Sequence, residues 1–119
     1  MENSTSRVMI VGSIMIFPYN EKVLVDYHNS DGVKPVKLAR LRSKEFLVLK
    51  HLATKAGDWV TTKELMGIFS PKNMDQKHTN AYNAISCIRN ELRIACPGVE
   101  KQLQSEREKG FKLSATPEQ

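Results

Sequence analysis

The 119-residue chain lacks the groups on which most enzymes and metal proteins depend. Its three histidines, His28, His51 and His78, are scattered without ligand spacing, and its two cysteines, Cys87 and Cys96, do not form a CxxC pair. No glycine-rich phosphate loop, HExxH or GxSxG occurs, so we assign no catalytic residue, cofactor or metal. The cysteines stand nine residues apart, which on one helix is about two and a half turns and puts them on opposite sides. They cannot bridge each other there, and two reduced thiols suit a cytoplasmic setting. Long apolar runs are also missing. The one candidate, VMIVGSIMIF at 8–17, follows a single basic residue, Arg7, and is too short to span a bilayer as a helix. Its β-branched residues and Gly12 favour a strand, so no membrane association is expected.

What is present is an ordinary globular composition, 40% hydrophobic and 26% charged, at a length that fits one domain. The formal net charge of +5 makes a polyanionic partner plausible, and Lys34, Lys37, Arg40, Arg42 and Lys44 form a run free of acids. That run reads equally as a solvated loop with a helix start or as a set of phosphate contacts.

The first forty residues read as a meander of three strands, 9–17, 22–28 and 33–38, with turns at Pro18-Tyr19-Asn20 and Asn29-Ser30-Asp31-Gly32. A helix follows, with Phe46, Leu49, Leu52, Ala53 and Ala56 at helical spacing, Ser43 as its cap and Gly57 after its end. Trp59-Val60 reads as a short strand, and Thr61 with Glu64 has capping-box spacing at the start of a second helix that ends near Phe69. Residues 70–78 carry no periodicity and read as a loop. Ala81, Ile85, Ile88 and Leu92 then recur at 4, 3 and 4, giving the clearest amphipathic helix in the chain, which Pro97-Gly98 stops. Segments 102–107 and 110–114 read as a hairpin around Glu108-Lys109-Gly110. The expected domain is 8–114, between a flexible N-terminus (1–7) and a tail (115–119). Two helices followed by a hairpin is the order of a winged helix-turn-helix.

Three segments carry a closer resemblance. LRSKEFLVLKHLATKAGDWVTTKEL, NAISCIRNEL and QSEREKGFKL resemble, in order and spacing, the patterns of the OmpR/PhoB-type DNA-binding domain, the effector half of many response regulators and of ToxR-like regulators. The similarity covers roughly residues 10–114. It implies an α+β fold, a winged helix-turn-helix with an N-terminal antiparallel sheet, three helices and a C-terminal β-hairpin wing. It also implies a sequence-specific, cytoplasmic and nucleoid-associated transcription regulator that binds double-stranded DNA. The recognition helix, about 79–95, would enter the major groove, and the wing, 102–114, would lie on the minor groove or backbone. Relatives are commonly switched by an attached receiver domain, for which 119 residues leave no room. A stand-alone domain is therefore expected, controlled by abundance, by head-to-tail self-association on DNA, or by a partner such as RNA polymerase through loop 70–78. The alternative is a protein-interaction module on the same fold, docking on RNA polymerase or another regulator with weak or no DNA binding.

The chain departs from the family pattern at informative places. Arg42 stands at the usual capping threonine, Glu108 replaces the first glycine of the wing turn and leaves Gly110 to take φ > 0, and Thr79, Ala84 and Cys87 replace arginine, histidine and arginine. Opposite the apolar stripe the third helix presents Thr79, Asn83, Ser86, Asn90 and Arg93, with Cys87 at the margin; Asn80 at the helix start is included with them. Asparagine can pair with adenine through two hydrogen bonds, and serine or threonine can contact several bases. Cationic groups come mainly from elsewhere. Arg89, on the flank, matches a family arginine and would contact phosphate or pair with an acid. Arg107 matches the wing arginine that reaches the minor groove, Ser105 stands at that pattern's threonine, and Lys109 and Lys112 would add phosphate contacts.

Overall fold

The computed structural model describes residues 8–26, 36–69 and 79–115. The order is β1 (Met9–Val11), β2 (Ile14–Phe17), β3 (Lys22–Asp26), β4 (Val36–Ala39), α1 (Ser43–Thr54), α2 (Thr62–Phe69), α3 (Thr79–Ala95), a 3-10 turn (Val99–Gln102), β5 (Leu103–Glu106) and β6 (Gly110–Leu113). The first four strands form an antiparallel meander and the last two a hairpin. The fold is thus α+β, with three helices between an N-terminal sheet and a C-terminal wing.

The segment expected as one strand, 9–17, is a hairpin. Gly12 takes φ +59, a left-handed conformation open to glycine at little cost, and the chain reverses there. The apolar alternation survives the reversal, because Val11, Ile14 and Ile16 all face inward with Val23 and Val25. The following turn places its positive φ on Glu21. The expected Asn29–Gly32 turn, the ends of the strands beside it and loop 70–78 lie outside the described residues.

Helix α1 starts from Arg42 rather than Ser43, and the Glu45 carboxylate accepts the Arg42 backbone N–H at 3.1 Å. Its buried face is Phe46, Val48, Leu49, Leu52 and Ala53; Ala56, expected on that stripe, lies beyond the helix and is exposed. Thr61 caps α2 as its spacing predicts, its Oγ1 accepting the Glu64 N–H at 3.1 Å. Trp59-Val60 forms only a single bridge: Val60 N–H donates to the Phe111 carbonyl at 2.7 Å and Phe111 N–H to the Val60 carbonyl at 2.8 Å. The bridge joins the turn between α1 and α2 to the wing. Helix α3 has the expected bounds and buries Ala81, Ile85, Ile88 and Leu92. Shortening any of the last three to alanine would remove about 2 to 5 kcal/mol. Segment 102–107 is shortened at its start, since residues up to Gln102 belong to the 3-10 turn.

The one buried polar side chain among the described residues is Gln102. Its Nε2 donates to the carbonyls of Val11 (2.9 Å) and Ser114 (3.0 Å), and its Oε1 accepts the Ser13 N–H at 3.3 Å. The β1–β2 turn is thereby tied to the base of the wing.

Candidate nucleic-acid interface

The surface of interest is set by two elements, α3 and the β5–β6 wing. Burial of one stripe of α3 fixes the rotation of the whole helix, so Asn83, Ser86, Cys87, Asn90 and Arg93 are all exposed. The side chains of Thr79 and Asn80 lie outside the described residues. Ala84 is buried at 5% exposure, so the position at which relatives carry histidine belongs to the core of this chain.

Arg89 connects the two elements. Its Nε and one terminal nitrogen donate to the Leu103 carbonyl at 3.2 and 3.1 Å, and that terminal nitrogen also reaches Ser105 Oγ at 2.9 Å. These contacts set the guanidinium at the foot of the wing, on a backbone carbonyl and a hydroxyl. Tyr82 makes a second bridge, its ring edge-on to Phe111 with centroids 5.6 Å apart and planes at 73°. Between the helix and the wing runs a groove of about 320 Å³, lined in part by Tyr82, Ser86, Arg89, Ser105, Arg107 and Phe111.

This arrangement of helices, sheet and wing recurs in solved structures. The chain superposes on the DNA-binding domain of response regulator AdeR in complex with an intercistronic region, with a TM-score of 0.70 and 20% identity over 89% of this chain and 98% of that one. The Klebsiella pneumoniae RstA DNA-binding domain in complex with the RstA box gives 0.70 and 23%, over 92% and 99%. The C-terminal DNA-binding domain of RstA from the same organism gives 0.65 and 25%, over 95% and 94%. The chain has the OmpR/PhoB-type winged-helix fold. Neither the family models nor the curated proteins give a sequence match.

Within this winged-helix domain the cationic side chains are unequally placed. Arg107, in the wing turn, is exposed and makes no hydrogen bond or ion pair with another described residue. Arg93 donates to Asn90 Oδ1 at 2.7 Å, which holds both side chains on the outer face of α3. Lys112 lies 4.7 Å and Lys109 5.6 Å from the centre of the Trp59 ring, and Lys109 also pairs with Glu106 at 3.7 Å. Lys112 stands across from Gln104 in the hairpin register, on the strand face opposite to Ser105 and Phe111. The two wing lysines are therefore stacked on Trp59, away from the groove that Arg107 lines.

Desolvation, followed by the Glu45 carboxylate beside it, pushes the Cys87 thiol above its ordinary pKa. The thiol stays protonated at neutral pH, opposite to what a reactive cysteine needs. Among the described residues no group of His, Cys, Asp and Glu is placed to hold a metal ion, and no helix is long and apolar enough to cross a membrane.

Two residues that sequence reasoning passed over belong to this surface. Tyr82 falls on the stripe of Ser86, Arg89 and Arg93 at steps of 4, 3 and 4, a spacing visible in the sequence, but an aromatic beside the apolar stripe reads as core. Trp59 meets the wing lysines only through the Val60–Phe111 bridge, and no local pattern announces that.

Proposed function

We propose that the chain is a sequence-specific DNA-binding transcription regulator. Helix α3 would lie in the major groove, and the wing would reach the minor groove or the flanking backbone. The observation that carries this reading is that Ser86 of α3 and Arg107 of the wing line one groove, braced by Arg89 and Tyr82, while Asn83, Asn90 and Arg93 are exposed on the same helix. The presence of DNA in the AdeR and RstA structures of the same fold supports it.

Asn83 and Asn90 supply amide groups suited to adenine, while Ser86 and Cys87 are small enough to let the helix approach base edges closely. Arg107, Arg93 and the wing lysines supply the phosphate attraction. Contact with DNA would exchange the Trp59 stacking of Lys109 and Lys112 for phosphate. Two copies would bind head to tail on direct-repeat half-sites, and residues 70–78 are a further proposed contact for RNA polymerase.

Selection of bound sequences from a random duplex pool, followed by salt titration of the winner, tests this reading. A recovered direct repeat is expected, with log K falling by about 0.9 per phosphate contacted for each log unit of salt. Absence of saturable duplex binding at low salt overturns it.

A further inference from the structure

Away from α3 and the wing, the exposed side of α1 carries a feature that DNA recognition does not use. Leu47, Lys50, His51 and Thr54 follow one another at i, i+3, i+4 and i+7, and with Ile68 of α2 they line an open trough of about 360 Å³. Leu47 is 40% exposed, an apolar side chain left on a helix whose core face is fully supplied by Phe46, Val48, Leu49, Leu52 and Ala53. Around this apolar floor the charge has one dominant sign. Lys44 donates to the Ile68 carbonyl at 3.1 Å, which holds its ammonium at one end of the trough. Lys50 has no ion pair with a described residue, and Lys55 lies beyond His51 toward the other end. The acid beside it among the described residues, Glu64, is already bound by Lys55 at 2.6 Å and by His51.

We propose that this α1–α2 trough docks an acidic amphipathic helix of a protein partner. From Lys44 to Thr54 the α1 surface runs about 15 Å, enough for about three turns of a partner helix laid along it. Such a helix would set apolar residues against Leu47 and Ile68 and carboxylates against Lys44 and Lys50. A nucleic-acid backbone matches the lysines but offers nothing to cover Leu47, so the mixed apolar and cationic character selects a protein. The trough shares no residue with the groove between α3 and the wing, so it can be filled while DNA is bound. The inference stands whether or not the DNA reading does.

The test is an amide-resolved NMR titration of the full chain with a synthetic helix bearing leucines at i, i+3 and i+7 and glutamates on the flanking positions. Shifts should cluster on α1 from Lys44 to Thr54 and at the end of α2. Lys50→Glu and Leu47→Asp should each weaken binding about fivefold or more, with melting temperature and duplex affinity unchanged. The same peptide with lysines in place of glutamates should not bind. The proposal is overturned if no saturable binding occurs, if the shifts fall on α3 and the wing, if both variants bind as well as the parent, or if duplex DNA alone reproduces the α1 shifts.

Discussion

Replacing Gln102 with leucine tests how the N-terminal sheet is held to the wing. The side chain is 1% exposed and reaches across 91 sequence positions to the Val11 carbonyl, while also serving the Ser114 carbonyl and the Ser13 N–H. Leucine nearly preserves the volume, so the cost comes from backbone groups that lose their partner rather than from a cavity. The hydrogen bond to Val11 is fully buried, and leaving that carbonyl unsatisfied costs about 1 to 3 kcal/mol; the other two groups are half-buried, so water limits their loss to about 0.5 to 1 kcal/mol each. A total near 3 kcal/mol is a large share of the stability of about 5 to 15 kcal/mol that such a domain has. Urea unfolding followed by Trp59 fluorescence and by circular dichroism should show an unchanged slope and a midpoint lowered by about 1 to 3 M. Gln102→Glu should be worse at neutral pH, because a buried carboxylate would face two carbonyl oxygens. Its folded-state pKa would then lie above the unfolded value, so the deficit is present above the folded pKa and relieved as pH falls through it. A Gln102→Leu protein within about 0.5 kcal/mol of the parent would refute the reasoning, since the three backbone groups would then have found other partners.

Further outcomes follow from the same geometry. Arg107→Ala should weaken duplex binding about equally on all sequences and reduce the salt slope by about 0.9; an unchanged slope means that Arg107 neutralises no phosphate. Gly110→Ala should destabilise the fold by more than about 2 kcal/mol in urea. Gly110 holds φ +104, and a Cβ there would meet the Val60 carbonyl oxygen at 2.1 Å, so the bridge between Val60 and Phe111 must open. Near-neutral unfolding would exclude that clash. The Glu64 carboxyl is held below its ordinary pKa by Lys55 first and His51 second. Its folded-state pKa is depressed, so the advantage of the parent over Glu64→Gln should be full above the ordinary carboxylate pKa and vanish as pH falls through the lowered value. Melting temperatures of the pair across that range check the sign, and a constant difference contradicts the ion pairs.

Helix α3 was readable because its core contacts repeat at the helical period over about four turns, and so long a pattern is hard to produce otherwise. The start of α2 was readable from Thr61 and Glu64, three residues apart, because a cap is a local hydrogen bond. The break within 9–17 was not, since Gly12 in an apolar run is compatible with a continuous strand. The reversal at Gly12 meets Gln102 from the far end of the chain, which supplies partners for the Val11 carbonyl and the Ser13 N–H. Ala84 and Tyr82 show the same limit on α3. The helical period places both at the margin of the apolar stripe, and only the packing of α1, α2 and the wing decided that Ala84 is buried and Tyr82 half exposed.

The sequence by itself determined what depends on neighbours along the chain: element order, the bounds of α3, the cap of α2, the left-handed Gly110 and the polar outer face of α3. The tertiary structure decided what depends on meetings across long loops. Arg89 became a brace for the wing, Trp59 a platform for Lys109 and Lys112, and Gln102 the tie between sheet and wing. Helical and strand periods specify which side of an element faces inward. They carry no information about which distant backbone carbonyl or ring will be waiting there.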